Sequence, residues 1–165
     1  MRQRLRGWVV VVFCALAVAG GLPAVAASPG ESGDVRIPVP GTDVVLAGTL
    51  AMPAGEGPWS GVVLVTGAGP QDRDETVAGQ RPFRVLSDAL VARGIAVLRY
   101  DDRGVAASTG TFATATLFDF ARDATAAAAY LAAQPGIDAR RVGLIGHSEG
   151  GLVAPLAVKQ AGAGI

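Results

Sequence analysis

The sequence contains a single cysteine, Cys14, so no disulfide can form within the chain. Cys14 lies in an N-terminal apolar run, and loss of that run would leave no thiol for catalysis. Charge is scarce as well: 17% of the residues are charged, and 14 basic side chains balance 14 acidic ones. A net charge of zero, with no basic run beyond the first residues, gives no basis for attraction to nucleic acid or anionic membranes.

The N-terminus has the layout of a secretory signal peptide. Three arginines within the first six residues precede an unbroken apolar run over 8–19, and Ala24-Val25-Ala26 offers a cleavage site of the A-x-A type. We therefore expect a signal peptide over 1–26, a flexible lead-in over 27–34 and a folded domain over 35–165. Cleavage would place the protein in the periplasm or outside the cell, without stable membrane association. The alternative is an uncleaved signal that anchors the chain in the membrane.

After the lead-in, apolar strand patterns alternate with helix patterns. Half of the residues are apolar, which suits a packed α/β domain. The three later strands are continuous apolar runs, typical of parallel strands covered by helices on both faces. The fold class predicted is α/β, a mostly parallel sheet flanked by helices. Strands are predicted at 35–39, 44–52, 61–66, 95–100 and 141–145, and helices at 82–93, from 116 to about 133, and at 152–160.

A short pattern after the last predicted strand indicates nucleophilic chemistry. The residues GHSEGG at 146–151 match G-x-S-x-G, with a strand before and a helix after, so Ser148 is placed at the apex of a nucleophile elbow. Glycines at 146 and 150 leave room for the tight reversal. The free N–H groups of the helix that follows are suited to stabilise an oxyanion.

The chain has one histidine, His147, and it lies inside this pattern. A serine nucleophile normally uses a histidine base, but the side chain next to Ser148 at a sharp turn points elsewhere. We therefore expect His147 to pack or hydrogen-bond beside the turn. The side chain of Glu149 is expected to serve structure, and its backbone N–H to face the site.

With these motifs in order, the sequence resembles the α/β-hydrolase superfamily, in particular bacterial exported esterases of the dienelactone-hydrolase-like and serine-aminopeptidase-like branches. The resemblance covers about residues 35–162. The matching motifs are LAGTL at 46–50, GAGPQDRDE at 67–75, RYDDRG at 99–104 and GHSEGG at 146–151.

The resemblance implies a role for each matched position. Ser148 corresponds to the nucleophile, and the backbone N–H groups of Glu149 and Ala68 correspond to the oxyanion donors. Asp102 and Arg103 correspond to a turn that braces its loop. It implies no cofactor and no metal, and a small-molecule ester or amide as substrate, with the bond type left open. Residues 72–75 are predicted to form a solvated loop, with the rim of a substrate mouth as the alternative.

In this superfamily, later strands supply the triad acid and then the histidine. The sequence ends at Ile165, so we expect a C-terminally truncated hydrolase that is inactive or nearly so alone. We also expect an exposed sheet edge beside the fifth strand. The alternative is a non-catalytic exported binding protein or pseudoenzyme that keeps the scaffold. A nucleotide-binding module is disfavoured because neither G-x-G-x-x-G nor G-K-[ST] occurs.

Overall fold

A computed structural model describes residues 10–13 and 32–162 of the chain. Most of the predicted signal peptide and the first part of the lead-in, residues 27–31, lie outside these ranges. The elements in chain order are β1 (Val10–Phe13), β2 (Ser32–Pro38), β3 (Val45–Ala51), β4 (Trp59–Val65), α1 (Pro82–Val91), β5 (Ile95–Tyr100), α2 (Leu117–Ala132), β6 (Ile137–His147) and α3 (Gly150–Ala161).

The strands form one sheet in the order β1-β6-β4-β5-β3-β2. Strands β1, β6, β4 and β5 run parallel, whereas β3 is antiparallel to both β5 and β2. The carboxyl ends of β4, β5 and β6 therefore lie along one edge, where the loops after them meet. This mostly parallel sheet with helices on its faces is the predicted fold class.

The helices cover the sheet on both faces, which explains the continuous apolar character of the central strands. Helix α1 packs on one face through Phe83 and Val91, against Leu64 and Val97. Helices α2 and α3 pack on the other. The larger buried side chains of that second layer include Leu46, Val63, Leu98, Leu131 and Leu144.

Local signals located most element ends. Strand β5 matches its predicted bounds, and α2 begins after a capping box in which Thr116 and Asp119 bond to each other's backbone N–H groups. Two strands extend beyond the apolar patterns. Strand β6 begins at Ile137, which pairs with Trp59. Its first five residues are exposed or partly exposed. Strand β2 begins at Ser32, inside the predicted lead-in, because Ser32 pairs with Ala51.

The expectation of a free edge beside the fifth predicted strand, β6, is wrong for the full chain. Strand β1 lies there, parallel to β6, with Val10 opposite Leu144 and Phe13 opposite His147. Backbone groups at a sheet edge find a partner where another strand can reach them. Since β1 falls within the predicted signal peptide, cleavage at 26 would remove it and leave β6 at the edge. Among the described residues, no helix is both long and apolar enough to cross a membrane.

Candidate active site

Ser148 occupies a strained turn between β6 and α3. Its φ is +50°, in the left-handed region that residues other than glycine rarely adopt. Helix α3 starts at once, since the Gly151 N–H donates to the Ser148 carbonyl at 2.9 Å. Such strain persists only where the surroundings enforce it, and it is common at functional sites. The backbone thus has the conformation that the G-x-S-x-G pattern predicts.

The two outer glycines of this turn are required by close backbone contact. A Cβ on Gly146 would lie 2.1 Å from the carbonyl oxygen of Gly150. A Cβ on Gly150 would lie 2.3 Å from the carbonyl oxygen of Val65, at the end of β4. Both contacts are far inside van der Waals distance, and backbone atoms cannot move away as a side chain can. The start of α3 is therefore pressed directly against β4.

The loop after β4 runs beside Ser148. A Cβ on Gly67 would lie 3.4 Å from the Ser148 Cβ, so the two turns are in near contact. The Gly67 N–H donates to the Glu75 carboxylate at 2.7 Å. Within the described part of the chain, the N–H groups of Ala68 and Glu149 have no hydrogen-bond acceptor. These are the two N–H groups that the resemblance implied as oxyanion donors.

His147 contacts Glu75 through its side chain. Its Nδ1 lies 2.8 Å from the Glu75 carboxylate, and 47% of its side chain is exposed. With a proton on Nδ1, the imidazole donates to Glu75. The expected hydrogen-bonding role beside the turn is therefore observed.

The prediction of a solvated loop over 72–75 is wrong. Glu75 is 4% exposed, and Asp74 pairs with the buried guanidinium of Arg99. Arg73 makes a two-pronged ion pair with Asp101, at 3.0 and 2.9 Å. Sequence reasoning missed Glu75 as a site residue because its partner His147 lies 72 positions away. A run of charged residues in a loop gives no local signal that it is buried.

The Arg73–Asp101 pair ties the loop after β4 to the loop after β5. Burial opposes ionisation of Asp101, but hydrogen bonds from Arg73 and from the Ala107 N–H outweigh it and lower the pKa of Asp101. The side chain of Asp101 raises the pKa of Arg73 in turn. Arg73 also donates to the Gly48 carbonyl at 2.9 Å. The loop is thereby held by strands on two sides.

Asp102 and Arg103 brace the site, as the resemblance implied. Asp102 accepts from the Thr66 hydroxyl at 2.7 Å and from the Gln71 N–H at 2.9 Å, so one carboxylate holds the first part of the loop after β4 at two points. Arg103 pairs with Asp123 of α2 at 2.6 and 2.7 Å. The loops after β4 and β5 and helix α2 are therefore bonded to one another.

Asp102 predicts a pH dependence of stability. Burial raises the pKa of Asp102 to about 6, against the opposing hydrogen bonds from Thr66 and Gln71. Because the folded-state pKa exceeds that of an unfolded aspartate, the native protein holds the proton more tightly. The stability that protonated Asp102 contributes to the native protein is present below pH 4 and is lost as the pH rises through 6.

The measurement is urea unfolding of the wild type and of Asp102→Asn across this range. The wild type should lose on the order of 3 kcal/mol relative to the variant between pH 3 and pH 8. Altered hydrogen bonding in Asp102→Asn shifts the difference in unfolding free energy between the two proteins by a constant. The pH dependence of that difference stays the same. A difference that does not vary with pH would contradict the raised pKa.

Two further features bear on ligands. An open, mainly apolar cleft of about 300 Å³ lies beside His147, between the end of β6 and α1, with Phe83, Leu86 and Ile145 among its lining residues. In the described ranges, no group of three or more His, Cys, Asp or Glu side chains could hold a metal ion. What the described residues assemble is a strained serine with two unbonded N–H donors.

The sequence is similar to known hydrolases. The family model described as serine aminopeptidase, S33 (Hydrolase_4) matches residues 81–165. Esterase EstD of Thermotoga maritima is 34% identical over 110 residues, which cover 67% of this chain and 26% of that protein. The chain thus spans about a quarter of the length of this curated relative.

Solved structures share the fold. An esterase of Pyrococcus furiosus, Pf2001, is 25% identical with a TM-score of 0.58, over 76% of this chain and 46% of that one. A dienelactone hydrolase from Anabaena variabilis is 22% identical with a TM-score of 0.62, over 81% of this chain and 59% of that one. The second likeness concerns the fold alone.

Proposed function

Because the chain belongs to the S33 serine aminopeptidase family of α/β hydrolases, we propose that it carries the nucleophile half of a serine hydrolase site. In this proposal Ser148 attacks the carbonyl carbon of a small-molecule ester. The observation that carries it is the left-handed φ of +50° at Ser148, at a strand-to-helix turn flanked by unbonded N–H groups.

In this proposal the two backbone donors stabilise the charge that forms in the reaction. Attack by the Ser148 Oγ forms the oxygen–carbon bond and moves an electron pair onto the carbonyl oxygen. The N–H groups of Glu149 and Ala68 donate to that oxyanion, and the dipole of α3 favours negative charge at its N-terminus. Removal of one such donor typically costs about 10²–10³ in kcat. The two donors come from different loops, so stabilisation of the oxyanion depends on the position of one N–H group relative to the other.

The proton of Ser148 needs an acceptor that these residues do not supply. His147 is the only histidine, its Nδ1 faces Glu75, and its place next to Ser148 in sequence turns it from the hydroxyl. We propose that the triad acid and base belong to the part of the relatives' length that this chain does not span. Alone, the 165-residue chain should then be inactive or nearly so, with residual chemistry from the oxyanion donors.

Ester substrates are favoured over amides because two of the similar proteins are named esterases. The family name leaves an amide substrate as the alternative.

Export is proposed on the signal-peptide layout of residues 1–26. N-terminal sequencing of the exported protein should then begin at Ala27.

The test is slow covalent labelling of the 165-residue chain with an alkyl fluorophosphonate. Attack by the Ser148 Oγ forms an oxygen–phosphorus bond, fluoride leaves, and the serine proton passes to solvent. Peptide mass mapping should find a single adduct on Ser148, none in Ser148→Ala, and unchanged labelling in the control Ser60→Ala. Adducts spread evenly over several hydroxyls would instead favour a scaffold without catalytic function. This scaffold is the second candidate function because the chain has a single histidine.

A further inference from the structure

A buried carboxylate links the two loops that supply the oxyanion donors. One oxygen of Glu75, Oε1, accepts the Gly67 N–H at 2.7 Å and lies 2.8 Å from Nδ1 of His147. Gly67 directly precedes Ala68, and His147 directly precedes Ser148. A single atom therefore fixes both chain segments on which the proposed oxyanion site depends.

The geometry also assigns the donor within the loop after β4. The Gly67 N–H donates to Glu75, so it is not free to donate to a substrate oxygen. The next N–H along the chain, that of Ala68, has no acceptor among the described residues. Occupation of Gly67 by Glu75 thus orients the peptide that presents the Ala68 N–H.

Glu75 is itself held in place at a conformational cost. Its φ is +52°, in the left-handed region. The Glu75 N–H donates to the Asp72 carbonyl at 2.9 Å, and the Asp72 carboxylate accepts from the N–H groups of Asp74 and Thr76. A turn of this kind over-determines the backbone, so the carboxylate cannot drift from its two partners.

We propose that Glu75 is a positioning residue of the oxyanion site, which sets the Ala68 N–H against the Glu149 N–H through its bonds to Gly67 and His147. The inference rests on the proposed function of Ser148 and goes beyond it. In this proposal Glu75 acts through Gly67 and His147 and not on the reacting atoms. Its effect should therefore appear in the binding of a tetrahedral adduct and exceed any effect on folding.

The test uses phenylboronic acid and the full 165-residue chain. The Ser148 Oγ adds to boron to form a tetrahedral anion, the serine proton is released to solvent, and a boron-bound oxygen takes the place of the oxyanion. Binding is followed by amide NMR, which also reports the N–H resonances of Gly67 and Ala68. The variants are Glu75→Ala, Glu75→Asp and Glu75→Gln, with Glu56→Ala as the control because Glu56 is exposed.

Glu75→Ala should weaken boronate binding by at least about tenfold, since a displaced donor loses most of its stabilisation of the adduct. Glu75→Asp, one methylene shorter, cannot reach both partners and should behave similarly. Glu75→Gln keeps an oxygen acceptor and should bind within about threefold of the wild type. The Gly67 amide resonance should move upfield in Glu75→Ala and stay near its wild-type position in Glu75→Gln. If Glu75→Ala does not fold, the contrast between Asp and Gln carries the comparison.

Equal binding by the wild type and by folded Glu75→Ala or Glu75→Asp would overturn the positioning role alone. Absent binding by the wild type, or binding that Ser148→Ala does not reduce, would overturn the proposed function and this inference with it. The shift of the Gly67 resonance separates the two failures, because it needs no reaction at Ser148.

Discussion

Alanine in place of Gly150 should strongly destabilise the native fold at 25 °C. The added Cβ would lie 2.3 Å from the Val65 carbonyl oxygen and 2.6 Å from that of Thr66. Both atoms belong to backbone at the end of the central strand β4, so relief requires α3 to move off the sheet. The expected loss exceeds about 4 kcal/mol, a large part of the 5–15 kcal/mol that stabilises a typical domain. Urea unfolding followed by circular dichroism measures it.

Gly33→Ala is the matched control. A Cβ on Gly33 meets nothing within 4 Å, and its φ is not positive. Its substitution should change stability by no more than about 0.5 kcal/mol. A Gly150→Ala chain that unfolds at the same urea concentration as Gly33→Ala would show that the contact between α3 and β4 is not as close as described.

Asp123→Ala should produce the second large loss, of about 3–5 kcal/mol, because it removes the closer carboxylate partner of a buried guanidinium and leaves only Asp119, at 3.7 Å. The Asp123 side chain is 1% exposed and that of Arg103 is 8% exposed. Their two hydrogen bonds, at 2.6 and 2.7 Å, join the loop after β5 to α2. The Asp123 carboxylate raises the pKa of Arg103 in the wild type, and an arginine stays charged at neutral pH without such a partner because its ordinary pKa is above about 12. Thermal and urea unfolding report the loss.

Two further variants separate the unpaired charge from the loss of packing. Asp88→Ala removes an exposed i,i+4 pair with Arg84 in α1 and should cost less than about 0.5 kcal/mol. Arg103→Met, added to Asp123→Ala, removes the unpaired charge and should recover part of the stability. If the double variant is less stable than Asp123→Ala, the ion pair is not the source of the loss.

The two predictions address different parts of one arrangement. Gly150 allows the start of α3 to approach β4, which sets where the Glu149 N–H lies. Asp123, through Arg103, holds the loop after β5, and Asp102 of that loop bonds to Thr66 and Gln71 on either side of Ala68. The two proposed oxyanion donors thus depend on separate supports, and Glu75 joins the two chain segments through Gly67 and His147.

The sequence by itself determined the elements and the turn. Apolar runs located β4 and β5, a capping box located the start of α2, and G-x-S-x-G located the strained residue, because each is a local pattern with a local physical cause. The parallel order of the strands places the loops after β4 and β5 at one sheet edge, where Asp102 joins them. These features depend on residues that are neighbours in the chain.

Only the tertiary structure decided which polar side chains are buried and whom they contact. The sequence predicts a solvated loop over residues 72–75. In the structure Glu75 is buried against His147, and Arg73 forms an ion pair with Asp101. Strand β6 was expected at a free edge and instead pairs with β1. Such contacts join residues far apart in sequence, and no local pattern encodes them. Desolvation and hydrogen bonding are set by the whole surroundings of a group, and these exist only once the chain has folded.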